Sequence, residues 1–344
     1  MMRRPSAALW FLSPWLAGFV ALSLVPMGAS FVMSLMDTHG TLAIERWTWE
    51  GDGQYREALG ISRALPLPND DDGRRRAGVH DDAGSPGGRT GVYAKPRFLT
   101  ALWNSLLFTL FAVPLGLSAS LGVALLMNRS IPGISVFRAI VYLPYLLGGV
   151  ATILIWSWLF NPRFGWINWM IRFAYDMIDP FVAPFNTVGT AHWPVPDWLY
   201  SETACIPALV IMDAWTMGGA MIIFLAALKC LPKTLYDAAV LDGAGAWRCF
   251  RHVTIPMLTP AILFNLIVAV IFAMQSFKEA YLLQHRSQHD GLLFVALHIY
   301  ETAFEPPYRL GHASAIAWLL VAVLIALVVP ILISSRWWVH YEDR

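Results

Sequence analysis

The chain has 344 residues, 57% of them hydrophobic and 14% charged, against roughly a quarter charged in an average soluble domain, which excludes a water-soluble globule. Twenty-four Lys and Arg against 23 Asp and Glu leave a formal charge of +1, so no bulk positive field points to nucleic acid, and the positions of the charges carry the information. Cys205, Cys230 and Cys249 match neither a disulfide framework nor a CxxC metal site, and they read as unbridged packing residues.

Crossing a bilayer core of about 30 Å takes about 20 apolar helical residues, because lipid offers backbone N–H and C=O groups no partner. Six stretches reach that length: 8–36, 99–127, 136–160, 204–228, 261–283 and 313–333. Porin-like alternation is absent, so the expected fold is an all-α membrane protein, a bundle of six transmembrane helices. The first stretch follows Arg3 and Arg4 but far exceeds the roughly 7–15 apolar residues of a secretory signal, and is expected to stay as the first helix. Arg3, Arg4, Arg129, Arg138, Lys229, Lys233, Arg248, Arg251, Arg336 and Arg344 fall on one side of these stretches. By the positive-inside rule that side, with both termini, is expected to be cytoplasmic. The organisation is then an N-terminus and first helix (1–36), an extracytoplasmic loop (37–98), a five-helix core (99–333) and a cytoplasmic tail (334–344).

Within the first loop, residues 66–91 hold Asn69-Asp70-Asp71-Asp72, Arg74-Arg75-Arg76 and Ser85-Pro86-Gly87-Gly88. Such a composition buries too little apolar surface to offset its ordering entropy, and a disordered insertion is expected. The loop at 161–203 differs, since Trp166, Trp169, Phe173, Trp193 and Trp198 suit helices lying at the membrane surface.

Polar groups inside the spans are costly in lipid and usually face a bundle interior. In the fourth stretch Asp213 and Thr216 share a helical face, with Trp215 beside them. In the fifth, Asn265, Phe272, Ser276 and Glu279 are spaced seven, four and three apart and fall on one stripe bordered by Gln275. Aromatic rings can stack on sugar C–H faces while amides and carboxylates bond hydroxyls, so these positions are candidates for a solute pathway. The competing reading is that they bond neighbouring helices. Lys278 and Glu279 lie near the outer surface, where charge costs less.

Between the fourth and fifth stretches, residues 229–260 are richer in small and polar residues. Leu231-Pro232 reads as a helix start with Pro at the first position, and Gly243 as its stop. A second short helix is expected over 246–252, presenting Trp247, Phe250 and Arg251. Here the sequence reads Asp237-Ala238-Ala239, three residues, Gly243, nine residues, then Val253, Thr254, Ile255 and Pro256. This resembles the EAA motif, EAA-x3-G-x9-I-x-L-P, of the integral-membrane permease subunits of ABC importers, with Asp for Glu, Val for Ile and Ile for Leu. Asp242-Gly243-Ala244 after the first triplet resembles the carbohydrate-uptake subgroup. So do LWFLSPWLAGF, GQYREAL, FLTALWNSLLFTL, IYETAF and GHASAIAWLL, and within that subgroup the chain resembles the first permeases of maltose and glycerol-phosphate type more than the second ones.

The resemblance implies a permease subunit that forms half of a translocation pathway for a sugar or polyol-type solute in the inner membrane of a prokaryote. Its implied partners are a second homologous permease, two cytoplasmic ATPases, an extracytoplasmic solute-binding protein and the surrounding lipid. The coupling loop would be formed by Asp237, Ala238, Ala239, Asp242, Gly243, Trp247, Phe250, Val253, Ile255 and Pro256. No Lys follows a Gly, so the phosphate-binding pattern GxxxxGK[ST] cannot occur, and ATP and Mg are expected on the ATPases, with no cofactor on this chain. His285 and His289 lack an HExxH context and read as solvated loop residues, with no metal site expected. Two other classes compete: an ion-driven secondary transporter, which needs no such loop, and a membrane-embedded lipid or glycan enzyme using Asp213 or Glu279 as acid or base.

Overall fold

The computed structural model describes residues 5–38, 47–61, 96–129, 132–182, 196–199, 201, 203–216, 218–284 and 290–340. The expected insertion at 66–91, Trp193, His285 and His289 lie outside them. Among the described residues one antiparallel ribbon, β1 (Met36–Asp37) with β2 (Thr48–Trp49), interrupts an otherwise helical chain. The helices are α1 (Pro5–Phe19), α2 (Val25–Ser34), α3 (Gly53–Ala58), α4 (Arg97–Met127), α5 (Ile134–Leu146), α6 (Gly149–Leu159), α7 (Trp166–Val182) and α8 (Cys205–Trp215). They continue with α9 (Gly218–Cys230), α10 (Lys233–Leu241), α11 (Ala246–Cys249), α12 (Ile255–Met274), α13 (Lys278–Gln284), α14 (Val295–Phe304) and α15 (Leu310–Trp338).

Among the described residues four rods are long and apolar enough to cross a membrane: Leu12–Ser34, Arg97–Met127, Ala246–Leu283 and Leu310–Trp338. Two bent pairs bring the number to six if each pair is one span. Thus the third and fourth expected spans are not straight rods. The axis turns by 96° between α5 and α6, because Gly148 takes φ +74° and ψ 151°, a conformation essentially confined to glycine. Between α8 and α9 it turns by 45°, where the Thr216 N–H already bonds the Asp213 carbonyl three residues back.

Prolines inside two rods are accommodated alike. One π-helical turn, Val20–Leu24, precedes Pro26 and another, Phe250–Thr254, precedes Pro256. A proline has no N–H to give and crowds the preceding turn. The wider turn lets Val25 N–H reach Val20 O and Ile255 N–H reach Phe250 O, so the helix continues through it.

The chain divides into two compact units. The first comprises Met1–Thr100 and Val295–Val323. Here Phe31 meets Trp318 edge-on at 5.1 Å, the Ser34 and Tyr55 hydroxyls lie 2.6 Å apart, and fully buried Gln54 donates to Glu50. Arg309 donates two bonds to Glu57, at 2.5 and 2.6 Å, and Arg97 donates to Glu301 at 3.4 Å. The Arg309 guanidinium holds the Glu57 carboxyl below its usual range. Segments GQYREAL, IYETAF and GHASAIAWLL, far apart in sequence, come together in this unit.

Buried His298, with its Nδ1 unpartnered, sits beside these charges. Burial, with the positive charge of Arg97 adding to it, pushes its pKa down to about 4. Unfolded, the ring takes a proton near its ordinary value of 6.5, so the unfolded state binds more protons in the interval between. The neutral ring's contribution, roughly 3 kcal/mol, is complete above pH 6.5 and lost as pH falls toward 4. The thermal midpoint of the purified protein should therefore drop over that window, and His298→Gln should flatten the drop. A wild-type midpoint constant from pH 6.5 to 4.5 would contradict this.

The second unit comprises Ala101–Phe294 and Leu324–Arg344. Its core packs Ala124 of α4, Met221, Phe224, Leu225 and Leu228 of α9, and Leu258 of α12. Gly218 and Gly219 let α9 approach α5, since a Cβ on Gly219 would lie 2.9 Å from the Tyr145 ring. On α7, Trp166, Trp169, Met170, Phe173 and Met177 are exposed. Buried Asn168 on the same helix accepts from Trp198 Nε1 at 2.7 Å and donates to Asn161 O at 3.2 Å.

Candidate coupling loop and translocation cavity

Pro232, the expected first helical residue, is instead the N-cap of α10, φ −63° and ψ 128°, and the helix starts one position later at Lys233. At the other end Gly243 takes φ +74°. Its N–H bonds Val240 O at 3.0 Å, and the Ala244 N–H bonds Ala239 O at 2.9 Å. This paired geometry closes a helix on a left-handed residue and satisfies its last carbonyls. The Gly243 of the motif is therefore where the chain reverses.

The expected second short helix over 246–252 is replaced by α11, which runs through the π-helical turn into α12, so the loop is one short helix folded back on the base of a long rod. Its inner side is pinned where the Tyr236 and Thr254 hydroxyls meet at 2.9 Å and where buried Cys249 directs its thiol to Ala244 O at 3.7 Å. No disulfide joins the three cysteines, of which Cys230 is exposed and the other two are buried. The outer side is apolar, with Val240 65%, Leu241 88% and Trp247 70% exposed. Trp247 packs on Phe250 at 5.4 Å. Asp237, Ala238 and Asp242 are exposed alongside, whereas Val253, Ile255 and Pro256 belong to the rod and are half-buried.

A cavity of about 480 Å³ lies among α4, α8, α12 and α13. Five of the seven expected pathway residues line it: Asp213, Thr216, Phe272, Gln275 and Ser276. Trp215 instead sets its ring edge-on to Trp156 at 5.8 Å. Asn265 is buried and donates to Ala261 O of its own helix at 2.9 Å. The stripe on the fifth span is also interrupted, because α12 ends at Met274 and the helix restarts at Lys278. Ser276 and Glu279 reach the cavity through that break, with Ser276 donating to Glu279 Oε2 at 3.1 Å. Ser120, Tyr145, Thr152, Lys278 and Gly116 also line it. Tyr145 and Thr152 sit on either side of the α5–α6 bend, where no straight-helix periodicity aligns them.

The cavity and the loop share two supports. Asp213 and Thr216 precede α9, which leads into α10, while Phe272 to Ser276 close α12, which rises from α11. Helix α12 has 20 residues, about 30 Å at 1.5 Å per residue, and the core around Phe224 and Leu258 clamps it to α9.

Residues 89–344 match the family of binding-protein-dependent transport system inner membrane components. A probable ABC transporter permease of Bacillus subtilis, YesP, is 27% identical over 337 residues, covering 97% of this chain and 92% of that one. The sulfoquinovosyl glycerol transport system permease SmoG of Agrobacterium fabrum is 28% identical over 236 residues, 68% of this chain and 70% of that one. The probable starch degradation products transport system permease AmyD of Thermoanaerobacterium thermosulfurigenes is 28% identical over 243 residues, 68% and 76% of the two chains. Among solved structures, a bacterial ABC transporter involved in import of the acidic polysaccharide alginate matches with a TM-score of 0.68 at 17% identity, over 96% of both chains. It shares the fold.

The chain belongs to this family of transport-system membrane components: it is a permease subunit of an ABC importer, and ATP hydrolysis resides on separate subunits.

Proposed function

We propose that this permease imports a sugar or polyol-type solute across the inner membrane of a prokaryotic cell. It works beside a second homologous permease, two cytoplasmic ATPases that bind ATP and Mg, and an extracytoplasmic binding protein. Six spans, with both termini in the cytoplasm, make up the chain, and residues 99–333 form the permease core. The loop at 229–260 docks the ATPase, and the cavity supplies half of the solute path. The observation that carries this reading is the mechanical continuity between the two, in which ATPase closure pushing on α10 and α11 moves α9 and α12 and so reshapes the cavity at their far ends. The solute class is supported by the aromatic, amide and carboxylate lining, and by the sugars in the names of SmoG and AmyD.

The path is tested by Ser276→Cys in a Cys230→Ser background, probed with a membrane-impermeant thiol reagent. The label should enter, and its rate should differ between nucleotide-free and ATP-trapped complexes. A Cys at this position that stays unlabelled in both states would exclude an aqueous path on this face.

A further inference from the structure

We propose that the cavity favours uncharged, hydroxyl-rich saccharides over acidic ones, with Asp213 as the main specificity-determining residue and Glu279 its companion. This rests on the reading of the cavity as half of the solute path and narrows its substrate class.

The charge of the lining is lopsided, with the carboxylates of Asp213 and Glu279 against the ammonium of Lys278. Asp213 is exposed to the cavity, its Oδ2 3.8 Å from where a Cβ on Gly116 of α4 would sit. Glu279 faces the same space from α13. Among the described residues neither carboxylate is in an ion pair. The cation of the lining, Lys278, lies along the α5–α6 bend: a Cβ on Gly149 would sit 2.9 Å from its Cδ and 3.8 Å from its Nζ.

Three hydroxyls that could serve an anion already donate to the protein. Thr216 donates to Asp213 O at 2.8 Å, Ser276 to Glu279 Oε2 at 3.1 Å and Thr152 to Gly148 O at 3.2 Å. The Gln275 amide, the Tyr145 hydroxyl and Lys278 remain as donors, set against two carboxylates that, ionised, only accept hydrogen bonds. A neutral sugar supplies donors around its ring and C–H faces for the exposed ring of Phe272. A uronate, sulfonate or phosphate would meet two carboxylates against the single ammonium of Lys278, a net repulsion that a neutral sugar does not feel.

The permease complex, purified whole into nanodiscs and without binding protein, can be probed by saturation-transfer difference NMR with maltotriose and trigalacturonate, equal in length and differing in charge. Maltotriose should bind at least about tenfold more tightly. Asp213→Asn should narrow that ratio by strengthening trigalacturonate binding, with subunits copurifying as in the wild type. Glu279→Gln should do the same to a smaller extent. Trigalacturonate binding as well as maltotriose to the wild type, or a ratio unmoved by both substitutions, would overturn the selectivity. If neither saccharide bound, the solute-path reading itself would fail and take the selectivity with it.

Discussion

Gly243→Val should separate ATP hydrolysis from transport, while Gly243→Asn should largely preserve their coupling. At φ +74° a β-branched residue is strained by about 1–2 kcal/mol or more, whereas Asn visits this region more readily. A Cβ at Gly243 would meet nothing within 4 Å, so any defect reports backbone strain and not collision. That strain opposes the paired bonds from Gly243 to Val240 and from Ala244 to Ala239. A penalty of 1–2 kcal/mol shifts the local equilibrium by roughly 5–30-fold, enough to splay α10 from α11. Solute-stimulated ATP hydrolysis in proteoliposomes should fall by a comparable factor in the Val variant. If Val and Asn variants behaved alike, the turn would not be the coupling element.

The largest effect on stability is expected from Gly311→Ala, in the other unit. A Cβ there would lie 2.0 Å from Met36 O and 3.1 Å from Met33 O. Both are backbone atoms that cannot rotate aside, so β1 and the start of α15 must part. Overpacking of this kind typically costs about 1–3 kcal/mol, and backbone against backbone belongs at the upper end. The folded yield in detergent and the thermal midpoint should both drop. A midpoint matching the wild type would show that the approach of helix to ribbon is not needed for stability.

Apolar length exposed the spans in the sequence because lipid enforces it residue by residue. The breaks at Gly148 and Thr216 were less legible, since glycine and threonine are tolerated in straight membrane helices and only the fold decides which one leaves the helix. Spacing made the loop legible, as Ala238, Ala239 and Gly243 sit where a small-residue face and a left-handed turn demand them. Its second arm was judged too short, because the π-helical turn that carries the helix on past Pro256 leaves no mark in residue spacing. Asp213 and Thr216 were found by helical spacing and polarity, which mark a face but not its depth. Asn265 shows the limit, because its amide is satisfied by the Ala261 carbonyl. The pairing of Glu57 with Arg309, 252 residues apart, leaves no local signal at all.

Docking of an ATPase on the loop is tested most directly by placing a photo-crosslinking amino acid at Leu241, the most exposed apolar residue of α10, in cells that carry the whole transporter. Irradiation should join this chain to the cytoplasmic ATPase. Crosslinks to the extracytoplasmic binding protein, or the absence of any ATPase adduct from an assembled and active complex, would contradict it.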